Sequence, residues 1–467
     1  MEDHESRFRR ELLSRLPLAE AVLSLFSHVL AEPFLDGLFE AHRGRCYEDA
    51  LRFPTLLYLV RDALLVHGGS ARQSFARAEE AGGLPVAVAS AYAKLSRLPV
   101  ALSEALLGEG ARRLEALLPE GAAPAVPVPA SLAGFEVVAV DGKKAKGAAK
   151  RLKPCRGLPG SLLGPKLLVA LPLRTGLPWA VAVAEDGERN DVPLVPALLP
   201  RARRGLGRPV LWVADAQFCD LNLPGLFTEQ GGHFLLRHTR KLHFHPDPGR
   251  PARAGADARG RRFVEEWGWV GSGRDARRRY VRRVTLSRAA EGEGDVAVLT
   301  DLTDEALYPA GDLLEAYLMR WGIERVFQQV AEVFGLRRLI GAGPRAMAFQ
   351  AALCLLLYGM IQVARAYAAR AGGVEAERVS GEQLFHDAAH ELIAWAKAGD
   401  PAHAAARLTP TPPPAALRRR LAECVGSRWT RRWLKAVNKS PRKKQPAAKR
   451  SGAHTSVWRV LQAHQRC

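Results

Sequence analysis

The period of the apolar pattern changes once along this chain, and that change limits what the chain can fold into. Up to about residue 120, apolar positions recur at helical spacing, as in residues 18–30, 54–66 and 86–98. The stretch Gly121-Ala-Ala-Pro-Ala-Val-Pro-Val-Pro129 then reads as a Pro-rich linker. Beyond it come short β-rich apolar runs. They are residues 135–140 leading into Asp141-Gly142, 167–171, 179–183 turning at Asp186-Gly187, 210–214 ending at Asp215, and 233–237. A helix is expected over residues 192–199. Three strands, a helix and two further strands make a mixed α/β sheet. The fold class that follows is α/β, with an α-helical N-terminal domain in front of it.

A long insertion separates the fifth strand from the next helical segment. Residues 238–262 form a basic loop with Pro246, Pro248 and Pro251, and residues 262–270, 278–286 and 296–300 read as strands. Alternating Arg and apolar residues in Arg279-Tyr-Val-Arg-Arg-Val-Thr predict a sheet with one basic face, which either meets a DNA backbone or is simply solvated. His243-Phe-His245 lacks the further partners of a metal site and is better read as touching phosphate or water. In the N-terminal part, Gly82-Gly83-Leu84-Pro85 turns between two helical stretches, the second carrying Ser90, Tyr92, Lys94 and Arg97. A DNA-reading helix and an ordinary helical bundle account for that pattern equally well. The expected organisation is a helical domain over 1–120, a linker over 121–130, and a catalytic domain over 131–237 and 304–375. A β-rich basic insertion occupies 238–303, and a helical region with a basic tail occupies 376–467.

The formal charge of +20 and the pI near 10.1 point to a polyanionic partner, nucleic acid first and an acidic membrane second. Residues 424–467 carry twelve Lys/Arg and no Asp or Glu, so this short stretch holds +12 of that charge. The six cysteines form no CxxC pair, which argues for reduced thiols in a cytoplasmic protein rather than zinc or disulfides. The first residues lack a signal-peptide pattern. The most apolar run, residues 351–361, is shorter than the roughly 20 residues of a membrane span, so a buried helix is expected and no membrane partner.

Three acids stand out. Tyr317, Arg320 and Glu324 sit at i, i+3 and i+7, which would put a phenol, a guanidinium and a carboxylate on one helical face. Taken alone, Arg320 and Glu324 are an ordinary i,i+4 pair. Asp141 and Asp215 are both expected at the C-terminal ends of buried strands, where open α/β sheets place ligands. Each also has a plain structural reading, a turn for Asp141-Gly142 and an N-cap for Asp215. Three carboxylates brought together require a cation, and an oxygen-only set suits Mg²⁺ or Mn²⁺. Two such ions can activate a nucleophile and stabilise the leaving oxygen of a phosphodiester.

These residues resemble the bacterial insertion-sequence DDE transposases, RNase H-like, of the group with a Tyr-x2-Arg-x3-Glu motif and a β-rich insertion before the last acid. The resemblance covers roughly residues 130–370. It rests on the strand leading into Asp141-Gly142, on Val-Ala-Asp215, and on Tyr317 to Glu324 with Arg-Trp-x-Ile-Glu intact. It implies an RNase H-like mixed sheet with flanking helices. Asp141, Asp215 and Glu324 would be the catalytic, metal-binding acids, holding two Mg²⁺ or Mn²⁺ ions. Tyr317 and Arg320 would contact the phosphates of the element ends. Arg325 and the tail lysines Lys443 and Lys444 would add DNA contacts. Where the family pattern often has a Lys seven residues after the Glu, this chain has Ala331. The activity implied is cleavage at insertion-element ends and strand transfer into target DNA, by a dimer or larger assembly on double-stranded DNA in the bacterial nucleoid. The alternatives are a same-fold nuclease without strand transfer and a decayed, non-catalytic DNA-binding descendant.

Overall fold

The structure, a computed structural model, describes residues 11–122, 124–146, 152–257, 259–287, 295–333, 340–398, 412–436 and 454–465. It opens with six helices: α1 (Pro17–Val29), α2 (Glu32–His42), α3 (Phe53–Leu65), α4 (Ala71–Glu80), α5 (Val88–Arg97) and α6 (Val100–Glu115). Prolines at the first turns of α1, α2 and α3 start these helices without wasting a bonded N–H. Leu18, Val22, Leu25, Phe26 and Val29 give α1 a buried stripe at helical spacing. In α5, Ser90 and Arg97 are exposed, whereas the other two side chains of that pattern turn inward. Tyr92 packs on Phe75, and Lys94 lies over Phe39 and donates to the Leu51 carbonyl, so both side chains serve the bundle.

After the linker, the sheet strands are β1 (Glu136–Lys146), β2 (Ser161–Pro172), β3 (Ala180–Ala184), β4 (Val210–Ala214) and β5 (His233–Arg237), with α7 (Val195–Arg203) before β4 and α8 (Leu223–Thr228) after it. β2 pairs antiparallel with β1 and β3, whereas β1, β4 and β5 run parallel. The resulting order, β3-β2-β1-β4-β5, defines an RNase H-like mixed sheet. The insertion is not a separate sheet. Its strands β6 (Phe244–Pro246), β7 (Arg253–Ala256), β8 (Arg262–Val270), β9 (Arg279–Leu286) and β10 (Val296–Thr300) continue the first, because β10 pairs with β5. Nor do its arginines form one basic face: the adjacent Arg282 and Arg283 point to opposite sides of β9, Arg282 fully buried on Glu265 and Arg283 paired with Glu266 at 2.6 Å. The cross-strand acids of β8 consume these cations.

The chain then forms α9 (Ala310–Met319), α10 (Trp321–Glu332), α11 (Pro344–Gly372), α12 (Gly381–Ala398) and α13 (Pro414–Ser427), followed by β11 (His454–Ser456) and α14 (Val457–Gln465). β11 adds to the edge of β2 in parallel. α11 is far longer than its most apolar run suggested: 29 residues, with a window long and apolar enough to cross a membrane, and that window is entirely buried in the fold. It stops at Gly373, whose φ of +61° suits the left-handed cap that glycine adopts without strain. One core joins α1–α3, α6 and α9–α13 to the face of the sheet that bears Val137, Ala139, Leu211 and Val213. The second core covers the opposite face, where Val138, Val140, Trp212 and Ala214 meet α7 and Phe218.

One carboxylate joins α1 to both α12 and the residue that follows α13. Glu391 of α12 accepts from the free N–H groups of Leu18 and Ala19 at 2.7 and 3.1 Å, and also pairs with Arg428 at 3.1 Å. It serves as a remote N-cap for α1. Glu391→Ala is expected to lower stability by about 1–2 kcal/mol. In chemical denaturation this would be read as a lower midpoint at unchanged slope. An unchanged midpoint would remove the cap from the account.

Candidate active site

Two aspartates meet because of strand register. In the parallel β1–β4 pair, Val140 lies opposite Ala214, so Asp141 and Asp215 are the next residues on neighbouring strands. Alternation then sends both to the face of Val137, Ala139, Leu211 and Val213, toward α9 and α10. Asp141 does not end its strand, and Asp141-Gly142 is no turn. β1 runs on to Lys146, paired with β2 alone, so Asp141 sits mid-strand where the parallel neighbour stops. Asp215 does end β4, and it also N-caps the short helix Ala216–Phe218 by accepting from the Gln217 N–H at 3.0 Å.

The third acid arrives on a broken helix. The expected single helix through Tyr317 and Glu324 is interrupted at Arg320, where Arg320 N–H bonds Tyr317 and Ile323 N–H bonds Arg320. These tighter i→i+3 turns end α9 and begin α10, so Tyr317 and Glu324 belong to different helices. Arg320 sits at the joint and is 4% exposed. Its guanidinium lies 3.6 Å from Asp141 Oδ2 and 3.5 Å from Glu324 Oε1, with Tyr317 and Trp321 flanking it. Its Nε and Nη1 have no hydrogen-bond partner among the described residues. Arg320 therefore acts as an internal counter-ion between two acids, at distances longer than a good charge-assisted bond.

The electrostatics match this crowding. Burial pushes Asp141 up from 3.8 to about 6; Arg320 and the Gly142 N–H oppose the rise, while Asp215 and Glu324 add to it. Tyr317, 3% exposed, is raised by burial, with Arg320 and Arg237 opposing. Directly behind Asp141, on the other face of the sheet, lies a buried ion pair that the sequence reading missed. Lys166 of β2 meets Asp191 at 2.5 Å, and both are almost fully buried. Burial and Lys144 lower Lys166 to about 8, against the pull of Asp141 and Asp215. The Asp191 carboxylate occupies the place of a side chain at position 142, since a Cβ there would come within 2.0 Å of its Oδ1. Glycine follows Asp141 to admit this carboxylate, not to make a turn.

Among the described residues, no three His, Cys, Asp or Glu side chains are gathered closely enough to hold a metal ion as they stand. The Arg320 guanidinium fills the space between Asp141 and Glu324. The donor chemetry of Asp141, Asp215 and Glu324 nonetheless fits a hard divalent cation, being oxygen only and carrying mutual repulsion that a cation would relieve. Arg325 does not join the acids; it turns to a separate cavity lined also by Arg365 and Lys435, and none of the three acids lines that cavity. Lys443 and Lys444 lie outside the described residues. Trp321, 49% exposed beside Arg320, is an uncovered aromatic that composition alone did not single out.

The RNase H-like sheet thus carries one carboxylate on β1 and one at the end of β4, with a third on a following helix. Residues 133–360, slightly less than half of the chain, match the transposase DDE domain family. The matched segment contains all three acids, and it supports a DDE transposase. No curated protein matches the chain. Among solved structures, a piggyBac transposase synaptic complex with hairpin DNA is similar at 10% identity, over 91% of this chain and 87% of that one, with a TM-score of 0.37.

A raised carboxylate is a liability at neutral pH. Because Asp141 holds its proton more tightly folded than unfolded, its ionisation destabilises the fold above pH about 4, fully so above about 6. Asp141→Asn should therefore stabilise the metal-free protein at pH 7–8, by no more than about 3 kcal/mol. The gain should shrink as pH falls through 6 and vanish near 4 in thermal melts. A pH-independent difference would show that Asp141 is not titrating in this range.

Proposed function

We propose that this chain is a DNA transposase of the bacterial insertion-sequence type, which cleaves phosphodiesters at element ends and joins the freed 3′ ends to target DNA. The observation that carries the reading is the register of β1 against β4, which sets Asp141 beside Asp215 on the face that receives Glu324. The transposase DDE domain match over residues 133–360 supports it.

Asp141, Asp215 and Glu324 would hold Mg²⁺ or Mn²⁺. When bound, the metal supplies the Lewis acidity and charge neutralisation that phosphodiester chemistry requires. The remaining roles belong to this chain's own side chains. Arg320, buried between Asp141 and Glu324 with two unsatisfied nitrogens, keeps the acids apart from each other's charge and offers free donors to a phosphate oxygen. Tyr317 fixes one side of that guanidinium by ring contact. The Gly142 N–H donates to Asp141 Oδ1 at 2.8 Å, and the Gln217 N–H donates to Asp215 Oδ1, so two of the three carboxylates are held by backbone groups. Glu324, with a side chain 42% exposed and, among the described residues, tethered by Arg320 alone, is the acid left free to adjust. In the proposed reaction, water opens the phosphodiester at each end and leaves a 3′-hydroxyl. That hydroxyl then displaces a phosphodiester oxygen of the target strand, so one bond forms for each bond broken. Two ends must be processed together, which calls for at least a dimer on DNA.

The test is to incubate the purified chain with its flanking terminal repeats, a target plasmid and Mg²⁺, and to score cleaved and joined products. Asp141→Ala, Asp215→Ala and Glu324→Ala should each reduce cleavage to background while DNA binding persists. Cleavage retained by any one of them would remove that residue from the site. Cleavage without joined products would make the protein a nuclease of the same fold.

A further inference from the structure

On the opposite side of α10 from Glu324, a cavity of about 380 Å³ opens between α10, α11 and the segment after α13. Its volume falls within the range of small-ligand clefts, roughly 300–1,000 Å³. Four cations line it, of which Arg259 is paired with Glu315 and three converge from separate parts of the chain: Arg325 of α10, Arg365 of α11 and Lys435. Two carboxylates also line it. Glu315 is engaged by Arg259 at 2.7 Å, which leaves Glu377 as the one acid facing the three cations. Two positive charges therefore stand unmatched among the described residues.

The cations repel one another across this space. Arg365 is lowered by burial and by Arg325, with Tyr358 and Glu377 opposing, and Lys435 is lowered by burial, by Arg365 and by Arg325, with Glu377 opposing. A fourth donor lies with them. Gln362, 5% exposed, lines the same cavity, and its amide nitrogen has no hydrogen-bond partner among the described residues. Burying an unpaired amide and gathering cations without counter-charge both cost free energy, and one doubly charged anion relieves both.

We propose that this cavity is a phosphate-binding site, in which the Arg325 and Arg365 guanidinia, Lys435 and the Gln362 amide hold a phosphate group. Two arginines favour the planar, forked recognition that phosphate oxygens accept, and a charge of −1.5 to −2 at neutral pH roughly balances the two unmatched cations. The group is either free phosphate, which carries that charge alone, or the phosphodiesters of a DNA backbone passing behind α10, which carry one charge each, so that two of them match the two cations. The site is distinct from the three acids and does not depend on their chemistry.

The full chain is tested in two arms. In the first, inorganic phosphate is added at fixed ionic strength and thermal unfolding is followed. A site for free phosphate raises the Tm over a chloride control, by an amount that grows with the logarithm of concentration. Arg325→Ala and Arg365→Gln abolish the rise, and Asp141→Ala keeps it. In the second, binding to a short DNA duplex is measured against salt. A backbone site predicts several-fold weaker binding for Arg325→Ala and for Lys435→Ala, and a slope of log K against log salt shallower by about one for each. Arg325 and Lys435 are exposed, so these variants remain informative if Arg365→Gln fails to fold. Loss in either arm supports the site and identifies its source. A phosphate response that survives Arg325→Ala but is lost in Asp141→Ala would overturn the assignment. So would unchanged binding in both arms. Because these readouts are binding and not cleavage, their failure is separate from any failure of the transposase reading.

Discussion

The parallel pairing of β1 with β4 is the constraint on which the rest of the site depends. Sheet register is unforgiving: a slip of one residue would turn Asp141 to the opposite face, among Val138 and Trp212. A slip of two would keep the face but carry the carboxylate about 7 Å along the strand, out of step with Asp215. Neither acid chooses its place. Val137, Ala139, Leu211 and Val213 choose it, because burying them against the helical layer fixes which face each strand presents. The two core layers thus do chemical positioning as well as stabilisation.

Arg320 is the second consequence of that packing. A guanidinium so deeply buried would be a severe burden without charges beside it, and Asp141 and Glu324 supply them. Yet the contacts are long and two nitrogens go unanswered, so the compensation is incomplete. A fully satisfied salt bridge would lock the acids shut. At 3.6 and 3.5 Å, the contacts of Arg320 do not lock them. The Lys166–Asp191 pair behind the sheet is the opposite case. It is short, buried and apart from the acids' face, so it does not compete for the same oxygens.

What could be read from residue order was mostly local. The apolar runs marked the strands β1 to β5 and the N-terminal helices, and the motif around Tyr317 to Glu324 marked the third acid. Long-range facts were invisible for physical reasons. Asp141-Gly142 carries the composition of a turn, and only the Asp191 carboxylate, fifty residues away in sequence, explains why glycine is needed within a continuous strand. Arg282 and Arg283 of β9 looked like part of a cationic surface because their partners, Glu265 and Glu266, lie on a neighbouring strand. A 3.6-residue template ran straight through Arg320, since spacing cannot register a local tightening of the turn. Arg325, one residue from Glu324, sits about 100° further round the helix, and that rotation is enough to place it in another cavity.

The long buried helix α11 has a bearing on how the protein is made. Its side chains complete a core begun by helices more than two hundred residues earlier, including Leu106 and Leu114 of α6, and Tyr367 closes on the Leu117 carbonyl. Until residues 344–372 leave the ribosome, the early helices can pack on one another and on the sheet, but the apolar surface that meets α11 stays uncovered. A transcript cut short before α11 would therefore yield a chain with exposed apolar surface that is prone to aggregate. The fold makes its own completeness a condition of solubility.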